Sequence, residues 1–118
     1  MMKSRKAFIV GIKSIKLSNK EKLFLKKYKP WGVILFSRNI KSINQTINLT
    51  SSIKKIFKDD KYPILIDQEG GKVNRLNNII SFDNISSEYF GNLFLKDKKK
   101  FNVIFKLFID KTSYLLKL

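Results

Sequence analysis

The chain has 118 residues, 43% of them apolar, which suffices for one modest domain with a core and excludes wholesale disorder. Cysteine is absent, removing disulfides, thiolate catalysis and cysteine-based metal sites; histidine is absent too, and neither a cofactor nor a metal is expected. The net charge is +16, but the lysines are spread along every segment, so the excess reads as solvent-facing surface rather than a nucleic-acid site.

Residues 7–12, AFIVGI, form a short apolar run rich in β formers and read as a buried strand. The run is too short for a signal-peptide core or a membrane span, so no membrane partner is expected and a cytoplasmic location is the default. Ser18 and Glu21 have the spacing of a capping box, in which each side chain satisfies an orphan backbone N–H, and they predict a helix that Pro30 ends. Phe24 and Tyr28 fall on one face of it. A second apolar run, WGVILF, occupies residues 31–36. Ser42 and Gln45 make a second capping-box candidate, followed by an inward stripe of Leu49, Ile53, Ile56 and Phe57. Asp59 and Asp60 break that stripe, and Pro63 opens a third run, Ile64, Leu65 and Ile66.

None of the three strand runs alternates apolar with polar. Runs buried on both faces indicate a parallel sheet covered by helices, and hence an α/β chain of βα units. Residues 77–91 read as an irregular polar loop. From about Asp97 to the end, Phe101, Ile104, Phe105, Phe108 and Leu115 predict an amphipathic helix that is still running at Leu118.

The third run leads into DQEGGKVNR, residues 67–75. Ligands of parallel α/β folds gather at the carboxyl ends of the strands, where Asp67 falls. Glu69 lies two residues on, Gly70 and Gly71 allow backbone conformations closed to other residues, and Lys72 and Arg75 bring positive charge. A carboxylate that accepts from hydroxyls and a guanidinium that donates to oxygens suit a sugar; an ordinary strand-end ion pair would read the same way.

The stretch KPWGVILFSRNI at residues 29–40, then Gln45, then PILIDQEGGKVNRL at 63–76, resembles the amino-terminal part of family 3 glycoside hydrolases. The likeness is nearest to bacterial β-N-acetylhexosaminidases that trim N-acetylglucosamine from cell-wall fragments. It implies a (β/α)8 TIM barrel of which residues 1–118 supply the first three βα units, an incomplete barrel and no complete domain. It also implies retaining hydrolysis of a terminal N-acetylhexosamine, with Asp67 and Arg75 holding the sugar's hydroxyls. Lys72 stands where an arginine is more usual, Arg38 at the end of the second strand takes a structural role first and a site role second, and Glu69, by its place two residues after Asp67, is a further site-adjacent candidate.

The family's aspartate nucleophile and histidine proton donor have no counterpart in this chain, so no residue here is expected to be catalytic. Asp67 and Glu69 cannot replace them, because neighbours on one strand end lie on one side of a sugar rather than across its glycosidic bond. The implied partner is an N-acetylglucosamine-containing saccharide, and the remaining barrel segments would be needed for activity. Two alternatives stand beside this reading: a basic, non-catalytic module for saccharide or nucleic acid, and a chain that completes its barrel with another. An open three-stranded start of a barrel leaves an unpaired edge, so the isolated chain is expected to aggregate or fold only in part.

Overall fold

In the computed structural model, which describes residues 4–117, the strands are β1 (Lys6–Gly11), β2 (Pro30–Leu35) and β3 (Ile64–Ile66). The helices are α1 (Asn19–Tyr28), α2 (Ile43–Phe57), α3 (Ser87–Lys96) and α4 (Lys98–Lys117). Leu118, where the amphipathic pattern was still running, lies outside the described residues. The chain divides into two units. The strand unit holds the residues up to Gln68 together with Arg75–Ile80, and the helical unit holds Glu69–Asn74 and the residues from Ser81 onward.

In the strand unit the sheet is parallel throughout, in the order β1-β2-β3, with α1 and α2 as the crossovers. Central β2 is mostly buried: Val33 and Leu35 are sealed off, and Pro30 and Gly32 with them. The expectation that every strand is covered on both faces fails at β1, where only Phe8 and Val10 are partly covered and Ile9 is 46% exposed. An apolar run reports affinity for a core but not how many neighbours a strand has, and β1 is an edge strand of this sheet. Gly32 is small for a reason: a Cβ there would stand 2.9 Å from a Leu65 methyl and 3.1 Å from the Pro63 carbonyl.

The Ser18 capping box forms as read, with Glu21 N–H donating to the Ser18 hydroxyl and Ser18 N–H to the Glu21 carboxylate. Within α1 it is Leu25 that is buried, while Phe24 and Tyr28 meet at a tilt, 4.7 Å between ring centres, and stay partly exposed. The second box is only half made. Ser42 accepts from Gln45 N–H, but the Gln45 amide oxygen turns to Lys41 N–H. On α2, Leu49 and Ile53 are fully buried, and Phe57 stacks face to face with Tyr62 at 3.8 Å. Tyr62 donates its hydroxyl to the Pro30 carbonyl at 2.8 Å. Burial pushes its phenol up to about 12, against the opposing charge of Arg5.

Glu21 offers a pH test of the strand unit. Burial works to raise its carboxyl, but the Ser18 hydroxyl, the N–H groups of Lys13 and Ser18, and the Lys13 charge outweigh that and hold it below its ordinary 4.5. A carboxyl lowered by folding adds stability that is complete above its unfolded value and is lost as pH falls through its folded one. Unfolding followed by Trp31, the sole tryptophan, should therefore show an acid-side loss of stability that Glu21→Gln flattens. An unchanged pH profile in that variant would remove Glu21 from the account.

In the helical unit the loop predicted for residues 77–91 ends early, because the Ser86 hydroxyl accepts from Tyr89 N–H and starts α3. A serine ahead of a Tyr-Phe pair was the available signal. Asp97 ends α3 and caps α4 through Lys100 N–H. Phe90 on α3 meets Phe101, Phe105 and Phe108 of α4 at ring separations of 4.9–6.1 Å, so the predicted stripe does form the helix contact. Phe105 is still 37% exposed at its margin.

Candidate functional site

Three parallel strands place three chain segments at one end of the sheet: Ile12 after β1, Phe36 after β2 and Asp67 after β3. The residue after β2 leads into a single 3-10 turn, Ser37–Asn39, which presents Arg38 and Asn39. Asn39 is wholly buried. Its amide nitrogen donates to the carbonyls of Ile12 (3.1 Å) and Ser14 (2.9 Å), and its oxygen accepts from Phe36 N–H at 2.9 Å. Gln45 extends this stitching, donating to the carbonyls of Ile15 and Asn39. Two amide side chains thus tie the loop after β1 to the loop after β2.

Arg38 donates Nε–H to the same Ile12 carbonyl at 3.1 Å, and its guanidinium lies 4.6 Å from the centre of the Phe36 ring. The absence of a side chain at Gly11 makes room, since a Cβ there would come within 3.3 Å of both Arg38 and Phe36. The Arg75 guanidinium also lies against Phe36, at 5.4 Å, and reaches the Asp67 carboxylate at 3.4 Å. The strand ends therefore carry two guanidinium groups, one carboxylate and an aromatic ring that both cations approach.

The sequence placed Asp67, Arg75 and Arg38 near one face, and the structure brings all three together with Phe36 in the strand unit. The Asp67 side chain is 44% exposed and that of Arg75 27%, so both are open to a ligand. An ion pair this long and this wet adds little stability, about 0–1 kcal/mol at best, which argues against a purely structural purpose. The Nε–H of Arg75 is buried without an acceptor among the described residues. Donors left in that state are rare and costly in structures chosen for stability alone.

Glu69 and Lys72 belong to the helical unit. Both are exposed on a tight turn in which the N–H groups of Glu69 and Gly70 donate to the Val73 carbonyl. Gly70 and Gly71 have φ of 83° and 56°, the left-handed region that the glycine pair was read to serve. Sequence reasoning missed Phe36, the ring beneath both cations, and Gln68, whose amide oxygen accepts from the N–H groups of Arg75 (2.9 Å) and Leu76 (3.3 Å). A neutral amide set between two carboxylates was the one hint of the second.

No family model matches the chain. A β-hexosaminidase of Alkalilimnicola ehrlichii is 41% identical over 69 residues, 57% of this chain and 19% of that protein. A second, from Xanthomonas oryzae, is 36% identical over 69 residues, 57% of this chain and 20% of its own length. The chain thus spans about a fifth of the length of the curated relatives it matches. Among solved structures, NagZ from Neisseria gonorrhoeae in complex with N-trifluoroacetyl-D-glucosamine has a TM-score of 0.65 and 31% identity, covering 79% of this chain and 27% of that one. A glycoside hydrolase family 3 β-N-acetylglucosaminidase from Paenibacillus reaches a TM-score of 0.56 at 27% identity, covering 64% and 15%. In sequence and in backbone alike, this chain resembles the amino-terminal region of bacterial β-hexosaminidases of glycoside hydrolase family 3.

Proposed function

We propose that this chain is the sugar-holding part of a β-N-acetylhexosaminidase, in which Asp67 and Arg75 grip the hydroxyls of a terminal, non-reducing N-acetylhexosamine. The observation that carries the reading is the exposed Asp67–Arg75 pair at the carboxyl ends of parallel strands, in a chain similar to β-hexosaminidases. The carboxylate accepts from two neighbouring hydroxyls, while the guanidinium donates to a hydroxyl oxygen and neutralises the acid. Arg38 and Phe36 supply a flat cationic wall beside them. The NagZ structure with a bound N-acylglucosamine analogue supports the ligand class.

On this reading β1 to β3 are the first three strands of a (β/α)8 barrel. The nucleophile and the proton donor come from segments beyond this chain, and the substrate is a saccharide ending in N-acetylhexosamine, of the kind found in cell-wall muropeptides, handled in the cytoplasm by a retaining mechanism. The chain alone binds sugar but does not cleave it.

Titration of the 118-residue chain with N-acetylglucosamine, followed by amide NMR, tests the proposal. Asp67→Asn and Arg75→Gln should each weaken binding about tenfold or more, since each leaves a charged partner or a sugar hydroxyl unmatched. A chromogenic N-acetylglucosaminide should remain uncleaved by the chain. Unaltered affinity in both variants would overturn the assignment. Steeply salt-dependent DNA binding that ignores the sugar would favour the basic module instead.

A further inference from the structure

We infer that Gln68 is a positioning residue for the saccharide: its side-chain oxygen holds the main chain of Arg75 and so aims that guanidinium into the site. This rests on the reading of Asp67 and Arg75 as the sugar-holding pair. The chain leaves the strand unit after Gln68 and re-enters it at Arg75. Within that excursion the main-chain bonds among Glu69, Gly70 and Val73 close the turn upon itself. They do not tie the returning residue to the strand end.

Gln68 makes that tie. Its Oε1 takes the N–H groups of Arg75 and Leu76 together, using both lone pairs of one carbonyl oxygen. Leu76 is 4% exposed, so the second of these bonds anchors to a buried residue. The guanidinium's own restraints are loose by comparison, namely a 3.4 Å contact to a half-exposed carboxylate and a ring face 5.4 Å away. A long, flexible side chain with weak terminal contacts points where its backbone directs it. The backbone of Arg75 is set by Gln68.

The N–H groups of Arg75 and Leu76 need an acceptor at this position. Glutamate keeps an oxygen where Oε1 stands, and alanine keeps none. Asn78 separately fastens the following segment by donating to the Ile40 carbonyl at 2.7 Å, so the chain still folds back without Gln68.

The test uses the 118-residue chain and its Gln68→Ala and Gln68→Glu variants, with N-acetylglucosamine as probe. Hydrogen exchange at the Arg75 and Leu76 amides is read without ligand, and affinity is read by NMR titration. Gln68→Ala should lose protection at both amides and bind about tenfold or more weakly, the scale on which small misplacements of a positioned group act. Gln68→Glu should restore both properties. Intact protection or intact affinity in Gln68→Ala would overturn the inference, as would a Gln68→Glu variant no better than Gln68→Ala. Because the exchange readout needs no sugar, a parent chain that fails to bind the probe sinks the sugar-holding pair separately from the tie between Gln68 and Arg75.

Discussion

Replacing Asn39 by alanine is expected to destabilise the strand unit by about 2–4 kcal/mol, three hydrogen bonds lost at roughly 0.5–1.5 kcal/mol each. The Asn39 side chain is fully buried and makes three hydrogen bonds to main-chain groups of two different loops. Alanine leaves the Ile12 and Ser14 carbonyls and the Phe36 N–H without these partners, the first bond buried and the other two part-buried. Ile12 retains Arg38 as a donor, so the loss falls mainly on the part-buried Ser14 and Phe36 groups. Against a total stability of about 5–15 kcal/mol, such a loss shifts the urea midpoint far enough to be read from Trp31.

Aspartate at position 39 separates the bonds by type. It keeps an acceptor for Phe36 N–H but turns a carboxylate oxygen toward two carbonyl oxygens, so it should be at least as damaging as alanine. Sugar affinity should fall in both variants, since Arg38 and Phe36 stand on the turn that Asn39 pins. A cost below about 1 kcal/mol for Asn39→Ala would mean that water replaces the lost partners and that the loop stitching is not structural.

The elements that were legible in the sequence are those whose signal is local. A serine three residues before a glutamate, and an apolar stripe at helical spacing, each describe a single turn or face, and α1 and α2 formed where they said. The covering of β1 was not legible, because the AFIVGI run is equally at home in a central strand and at an edge. α3 was hidden by the polar residues before it, although Tyr89 and Phe90 begin an apolar face. At the site, the pairing of Asp67 with Arg75 could be anticipated from a strand, a carboxylate and a glycine turn in succession. Phe36 and Gln68 could not. A phenylalanine at the end of an apolar run looks like core, and a glutamine bonded to an N–H seven residues later has meaning only once the chain has reversed.

Ile53→Ala should cost about 2–5 kcal/mol, the range for a buried isoleucine whose cavity does not fully collapse, and should leave the sugar affinity of the folded chain unchanged. Ile53 is fully buried in the middle of α2, between buried Leu49 and the Phe57–Tyr62 stack, where close-packed neighbours on both sides resist closing over a void. Its side chain bears on the stability of the helix between β2 and β3, whereas the site groups stand on the loops after the strands. Ile53→Val removes one methylene and should cost about 0.5–1.5 kcal/mol. Leu23→Ala, at a position 66% exposed on α1, should stay within about 0.5 kcal/mol. The informative comparison is with Asp67→Asn, which should do the reverse, sparing the Trp31 unfolding midpoint while weakening the sugar. If Ile53→Ala instead lowered affinity in the folded fraction as much as Asp67→Asn does, the strand ends would not be a rigid platform, because damage in a distant part of the core would then be reaching the groups that hold the sugar.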